Sequence, residues 1–587
     1  MKTELEKLLA AALDRLGGTG RLPPTDPALI VVERTRDPRH GDFASNVALR
    51  LAKGAGLNPR ELAAGIIAAL PASPLVARAE IAGAGFINFH LNAAANLDEL
   101  WQVLESGAKY GRSAEPGGGR KVLLEFVSAN PTGPVHVGTG RQAAFGATLG
   151  NLLEATGYAV HREYYINDAG RQMDILTASV WLRYLETCGE ALEFPSNGYR
   201  GDYVRALARA LQAVAADAFR RPAAAVLEAL PPDAPAGGDK DKYVDAIIER
   251  MRALLGDVDF RRVLDFSLEA MLADIKGDLA DFGVGFDRWY SERTLTTSGA
   301  IDHALEVLRG QGRLYEKDGA TWFRATEFGD DEDRVVVRAN GEKTYFASDI
   351  AYHLEKRERG FELLVDVLGA DHHGYVARVR GGLVAMGQPA DCLEAILIQF
   401  VSLWRGKEKI PMGKRDAQFV TLRQLREEVG TDACRFFYLM RSHDQPLDFD
   451  LELAKSRSNE NPVYYIQYAH ARVASVMKQL AAKGYRYDEA AARANLGLLT
   501  DEHEQAVLTA LVRYPETVRQ AAANRTPHTV VHYLRELANT FHTWYNAATF
   551  IVEDPALRNA RLALALGVQQ VVRNGLGLLG VSAPESM

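Results

Sequence analysis

Cysteine is scarce. The 587-residue chain holds three, Cys188, Cys392 and Cys434. They lie far apart and form no Cys-x-x-Cys pair, which argues against a disulfide framework or a structural zinc site and suits a reducing cytoplasm. Long apolar runs are missing too: none approaches the ~20 residues that a membrane helix needs. The richest window, Ala395 to Trp404, is broken by Gln399 and Ser402. The opening MKTELEKLLAAALDRL has acids within it and no separate basic flank or apolar core, so it reads as an amphipathic helix and not as a secretory leader. Nor is there an excess of positive charge. With 68 Lys+Arg against 76 Asp+Glu the net charge is −8, which argues against blanket coating of nucleic acid. A local basic track stays open, because affinity depends on which charges meet phosphate. Apolar residues are plentiful at 47%, enough for real cores, and this length calls for several domains.

The chain is organised around Lys121 to Tyr165. Val122, Leu123, Leu124, Phe126 and Val127 form a short apolar run suited to a buried strand. A turn-rich segment follows, Ser128 to Pro134. From about Gly138 the pattern turns helical, with Phe145, Leu149, Leu152 and Leu153 on one face and Gly157 as a C-cap. Tyr158 to Tyr165 alternates like a strand. Such a βαβ unit aims a helix N-terminus at the space beyond the strand ends, a ready phosphate site. A Walker loop is excluded, because Thr139 and Gly140 stand where Lys-Ser/Thr is required. Gly138-x-Gly140-x-x-Ala143, with Glu163 further on, fits a dinucleotide fingerprint. That fingerprint, however, should follow the strand at once, and here about ten residues of Pro/Gly loop intervene. A purely structural Gly/Pro turn is the plain alternative.

The rest divides into three parts. Residues 1–112 read as a small α/β domain: the opening helix, a strand over Ala28 to Glu33, a helix after His40, another capped by Asn58-Pro59, and a glycine-bearing strand from Ile81 to Leu91. Residues 113–445 read as a parallel-sheet core interrupted by a helical insertion over about 190–280, with a flexible connection at Pro231 to Gly238. The second half of that core holds short strands at Trp322 to Arg324 and Arg334 to Arg338, a turn at Asn340-Gly341, and buried strands over Phe361 to Gly369 and Leu393 to Trp404. Asp371, His372 and His373 fall at a strand's carboxyl end, where such folds place ligand groups. Residues 446–587 read as an all-α bundle. On its helix from Asn461 to Val476, Tyr464, Gln467, Tyr468 and Arg472 are either a core-facing stripe or groups that stack on bases and meet phosphate. Composition favours the first.

The phrase Ala129-Asn130-Pro131-Thr132-Gly133-Pro134-Val135-His136-Val137-Gly138-Thr139 resembles the HIGH signature of class I aminoacyl-tRNA synthetases, in the longer form used by the arginyl-tRNA synthetase family. WRGKEKIPMGKRDAQFVTL, Trp404 to Leu422, is a glycine-flanked basic stretch similar to that family's KMSKS loop. HGDFASNVA and IAGAGFINF resemble its extra N-terminal domain, and Val429 to Ala454 its passage into the anticodon-binding bundle. The resemblance covers nearly the whole chain in order. It implies a Rossmann-type catalytic core, ATP as substrate with Mg²⁺ riding on its phosphates, and arginine and tRNA(Arg) as partners of a cytoplasmic, membrane-free monomer. ATP would meet the residues from Ala129 to Gly140, together with Gly369, Asp371, His372, Met412 and Lys414. His136, Thr139, Lys414 and Lys409 would act on the phosphates. Arginine would meet Glu125, Ser128, Asn130, His136, Tyr345, Asp349 and His372, and tRNA would meet Tyr464, Gln467, Tyr468 and Arg472.

Elementary chemistry supports parts of this. Guanidinium selection needs carboxylates, because bidentate pairing supplies both energy and geometry. Tyr345 and Asp349 are i,i+4 and share a helix face. Glu125 sits in an apolar strand, where its alternative role is a salt bridge inside the fold. A pocket that hydrogen-bonds its substrate rejects analogues by roughly 10⁴ without editing, and no editing domain is evident. The sequence departs from the signatures at Thr139, where a second histidine is expected, and at Pro411 and Gly413, where lysine and serine are expected. A weakened paralogue that binds tRNA is therefore one alternative, and a nicotinamide-dependent oxidoreductase using Gly138-x-Gly140 is another. A fluorescence titration with NADPH separates the last: the chain is expected to bind ATP saturably and NADPH not at all, and the opposite result would reverse the choice.

Overall fold

Five parallel strands form the central sheet: β1 Lys121–Phe126, β2 Ala159–Ile166, β3 Arg288–Ser291, β4 Leu363–Gly369 and β5 Leu393–Ile398. Their order is β3-β2-β1-β4-β5, the doubly wound arrangement, with its reversal between β1 and β4. Val122, Leu123, Leu124 and Phe126 are buried, as expected of a strand covered on both faces. Helix α1, Val137–Ala155, follows β1. Gly146 lets it approach, since a Cβ there would lie 2.3 Å from the Phe126 ring. The computed structural model describes residues 1–18, 26–35, 40–372, 374–411 and 420–587.

Between β2 and β3 lie the helices of the insertion, Arg171–Thr187, Asp202–Ala215, Ala223–Leu227 and Lys240–Asp281. They carry their own core around Trp181, Tyr184 and Ile247. The connection expected to be flexible, Pro231 to Gly238, is pinned: the Ser196 N–H donates to Asp233 Oδ2 at 2.8 Å. The N-terminal module is a four-stranded antiparallel sheet with three helices, Lys2–Gly18, Val47–Ala55 and Pro59–Ala69. Its strand over Ala28 to Glu33 shrinks to Val32–Arg34 after a 3₁₀ turn, and the expected single strand from Ile81 is a hairpin, Val76–Ala82 with Phe86–Leu91, turning at Gly83 and Gly85.

Another expectation is corrected in the core. Leu393 to Trp404 is not one strand. It ends at Ile398 and resumes as Val401–Arg405 in a separate three-stranded sheet. The break follows from hydrogen bonding. Gln399 N–H donates to His443 O at 2.9 Å, Leu447 N–H to Phe400 O at 3.0 Å, and buried Arg141 to Gln399 O at 2.8 Å. The C-terminal helix Pro555–Leu579 is also long and apolar enough to cross a membrane by composition, contrary to the sequence reading. It is the central helix of the bundle, with Leu562, Leu564, Val568, Val571 and Leu576 wholly buried.

Catalytic core and bundle share one apolar core. Arg435, 1% exposed, sits in the seam. It donates to Leu579 O (3.0 Å), Phe282 O (2.9 Å) and Gly283 O (3.3 Å), tying three segments distant in sequence. Burial pulls its pKa down to about 10, so it stays cationic at neutral pH. Arg435→Met strands those carbonyls and is expected to cost about 3 kcal/mol, read as a lower urea midpoint. An unchanged midpoint would deny the seam this role.

Candidate active site

The crevice beyond β1 and β4 gathers most of the residues singled out from the sequence. The chain leaves β1 through Val127 and Ser128, both with positive φ (72° and 39°). Left-handed backbone is rare for a β-branched residue and marks a turn held by its surroundings. Ser128 supplies part of that hold: its Oγ donates to Glu125 Oε1 (2.9 Å) and accepts from Tyr165 N–H (3.1 Å). Further along, Tyr164 OH donates to Ala129 O at 2.8 Å, Asn130 Nδ2 to Gln172 Oε1 at 2.7 Å, and Tyr203 OH to Thr132 O at 2.7 Å. Pro131, Gly133 and Pro134 complete the turn.

His136 is the N-cap of α1. Its Nδ1 accepts from Gly138 N–H (3.0 Å) and Thr139 N–H (3.2 Å). Those amides, and Gly140 N–H on His136 O at 3.0 Å, are therefore used within the turn and not left free for phosphate. With Nδ1 accepting, the imidazole proton belongs on Nε2. Nε2 lies 3.1 Å from Thr139 Oγ1. The Nε2–H thus donates to the oxygen of the threonine standing where histidine is expected, and the Thr139 hydroxyl proton is the donor carried onward. A dinucleotide pyrophosphate is poorly served here: a Cβ on Gly140 would meet Leu422 at 2.7 Å and the Tyr438 hydroxyl at 2.9 Å, so that glycine serves packing.

The second signature is bonded to the first. Val137 N–H donates to Val420 O (3.2 Å), Leu422 N–H to Val135 O (2.7 Å), and His136 bridges Thr421 antiparallel. Lys414 and Met412 lie outside the described residues, as does His373. Lys409 is exposed on a hairpin, opposite Trp404. Gly369 ends β4 close against Asp371, whose Oδ1 would be 2.6 Å from a Cβ there. His372 closes the following 3₁₀ turn.

Beside this cradle lies an acidic pocket. Tyr345 and Asp349 share a face of helix α2, Tyr345–Glu358, as their spacing requires. Tyr345 is 70% exposed at the rim, its hydroxyl 3.4 Å from where a Cβ on Gly170 would stand. Burial, then the carboxylates of Glu292 and Glu125, drive the Asp349 pKa well above the usual range, opposed by Lys356. Burial, with Asp168 adding to it, pushes Glu292 up to about 7. Burial, and then the charges of Glu292, Asp349 and Glu125, push the Tyr165 hydroxyl up, so all three acids lie within electrostatic reach of that one ring. Glu125 is neutralised there, with Lys356 Nζ 2.6 Å from its Oε2. Among the described residues no cation pairs with Asp349 or Glu292 as Lys356 does with Glu125. Sequence reasoning missed Glu292; it sits in WYSERTL, which carries no motif.

The residues suggested for tRNA lie apart, on helix Pro462–Ala482. Tyr464 and Tyr468 stack at 6.2 Å. Arg472 lies over the Tyr468 ring at 4.4 Å and bonds His542 Nδ1 at 2.9 Å. Gln467 is buried, donating to Asp432 Oδ2 (2.9 Å) and Ser582 O (3.0 Å).

Three family models match the chain: the arginyl tRNA synthetase N-terminal domain over residues 3–91, the class I (R) tRNA synthetase catalytic domain over 99–192, and the DALR anticodon binding domain over 466–587. Among curated relatives, the arginine–tRNA ligase of Thioalkalivibrio sulfidiphilus is 57% identical over the full length of both chains. That of Hydrogenovibrio crunogenus is 52% identical, also over both full lengths. In fold, the chain resembles the arginyl-tRNA synthetase structure of Thermus thermophilus, with a TM-score of 0.76, 23% identity and full coverage of both chains.

The acid pair has a pH signature. Glu292 favours the fold while protonated, below its ordinary 4.5, and that contribution is lost as pH rises through about 7. A bound guanidinium favours the ionised form instead, so binding must expel protons. Calorimetry with arginine near pH 6, in buffers of different ionisation enthalpy, is expected to show release of about one proton and affinity rising toward neutral pH. Glu292→Gln should remove most of both. No proton release would contradict the arrangement.

Proposed function

Since this chain belongs to the arginyl-tRNA synthetase family, we propose that it couples arginine to the 3′ end of tRNA(Arg) at the expense of ATP. The arginine carboxylate attacks the α-phosphorus of ATP and pyrophosphate leaves. A terminal ribose hydroxyl of the tRNA then attacks the adenylate carbonyl, and AMP departs. Chemistry of this kind asks the protein for positioning and charge neutralisation.

The observation that carries the reading is the pair Asp349 and Glu292, which burial and neighbouring carboxylates drive above the usual range and which both act on the Tyr165 hydroxyl. The pair receives the guanidinium in bidentate fashion. Glu125, Ser128 and Asn130 orient the amino acid's other end, and Tyr345 closes the rim. The Thr139 hydroxyl donates to phosphate, and His136 Nε2–H joins it by exchanging Thr139 Oγ1 for a phosphate oxygen, with α1's N-terminal dipole behind them. Lys414 meets the leaving pyrophosphate, carried by a loop whose far end is bonded to Val135 and Val137. Lys409 is a second candidate on the same loop's approach. Gly369, Asp371, His372 and Met412 take the adenosine side. Mg²⁺ arrives on the ATP phosphates with water completing its shell; among the described residues no group of three or more His, Cys, Asp or Glu side chains is placed to hold a metal. The enzyme works as a cytoplasmic monomer, and Tyr464, Tyr468 and Arg472 face the tRNA, with Gln467 fixing the helix that presents them.

The test is arginine-dependent exchange of pyrophosphate into ATP, with and without tRNA. Exchange is expected in at least one condition. Asp349→Asn should raise the KM for arginine about 10- to 100-fold, the worth of one charge-assisted hydrogen bond at about 1.5–3 kcal/mol. If neither condition supports exchange, the ligase reading falls and a tRNA-binding module remains.

A further inference from the structure

Beneath the acidic pocket lies a buried group of four charged side chains, of which the reaction as described uses Glu125 alone. Glu125 and Asp366 are register neighbours on β1 and β4. Lys356, wholly buried, donates to both, at 2.6 Å to Glu125 Oε2 and 3.0 Å to Asp366 Oδ1. His353, 6% exposed, completes the set. Its Nε2 lies 2.7 Å from Asp366 Oδ2 and its Nδ1 lies 2.7 Å from the backbone oxygen of Asp349.

Donor accounting decides the state of that ring. A carbonyl oxygen only accepts, and so does an ionised carboxylate. Burial pushes the Asp366 carboxyl up, but Lys356, donating to it at 3.0 Å, leads the influences that hold it well below the usual carboxylate range, so this carboxylate is ionised. A neutral imidazole could satisfy one contact and would turn a lone pair on the other at 2.7 Å. Both contacts are met only when both nitrogens carry protons. The remaining groups facing the ring are Tyr352, in edge contact at 5.5 Å, and Lys356, which shares Asp366 with it. Two cations then balance two anions, Lys356 and His353 against Glu125 and Asp366.

We propose that His353 is a buried imidazolium and a positioning residue. It pins the turn of α2 that bears Asp349 to the central strand β4, and so fixes where the guanidinium is received. This rests on the arginine pocket proposed above. The four buried charges cancel, and Asp349 and Glu292 stand outside that balance.

Two measurements test this. In ¹⁵N spectra of the wild-type enzyme at pH 8, one histidine ring should keep both N–H protons, protected from exchange, while exposed rings lose theirs. The signal should vanish in His353→Gln. In pyrophosphate exchange, His353→Gln should raise the KM for arginine about tenfold, as the loss of one positioning contact does, and leave the KM for ATP within about twofold. A merely structural residue would shift both alike or neither. A wild-type spectrum with no doubly protonated ring overturns the assignment whether or not the variant folds. An unchanged arginine KM in His353→Gln, with Asp349→Asn still impaired, overturns the positioning role and leaves the pocket standing. If Asp349→Asn is also unimpaired, the pocket itself is wrong and this role goes with it.

Discussion

The site depends on an imbalance of charge. Three carboxylates, from Glu125, Asp349 and Glu292, act together on one tyrosine hydroxyl, and Lys356 answers the first of them. Leaving two acids unanswered is costly, and the raised pKa values of Asp349 and Glu292 express that cost. Such an arrangement persists in a fold when a cationic ligand completes it. A guanidinium is planar, permanently charged and forked, and it relieves both acids at once. Next door the requirement is opposite. His136 and Thr139 present donors from a helix N-terminus, suited to anionic phosphate. A ligand positive at one end and joined to a phosphate at the other fits the two halves together.

Backbone geometry keeps these halves in register. The doubly wound order brings the ends of β1 and β4 side by side. Ser128 spans the gap to β2, with one bond to Glu125 and one to the Tyr165 amide. The two signature stretches, far apart in sequence, meet through main-chain hydrogen bonds at Val135 and Val137, so Val420 and Leu422, at the end of the second, are tied to the phosphate turn. Arg141, buried in α1, holds the far wall by donating to Gln399 O, Ser442 O and Gln445 O, each at 2.8 Å.

Much of this was legible where the signal is local. The run Val122 to Val127, the loop after it and the helical spacing from Gly138 specify strand, turn and helix from neighbouring residues alone. Tyr345 and Asp349 are named through the family resemblance, and their spacing of four residues adds only that one helix face carries both. What escaped is non-local. Glu292 acquires its meaning from Asp349 and Tyr165, which no short motif encodes. His353 and Lys356 stand in HLEKRERG, a stretch that looks like a solvated helix end, and only the fold reveals that they face inward onto Asp366. The split of Leu393 to Trp404 escaped for the same reason: the groups that break it are the Arg141 guanidinium, the His443 carbonyl and the Leu447 amide. The N-terminal hairpin was hidden because its first strand, VARAEIA, mixes charge with apolar residues.

A crystal structure with arginine and a non-hydrolysable ATP analogue tests the central claim most directly. The account predicts the guanidinium between Asp349 and Glu292, Glu125 still paired with Lys356, and phosphate oxygens within hydrogen-bond reach of His136 Nε2 and Thr139 Oγ1. A guanidinium seated away from both Asp349 and Glu292 would contradict it.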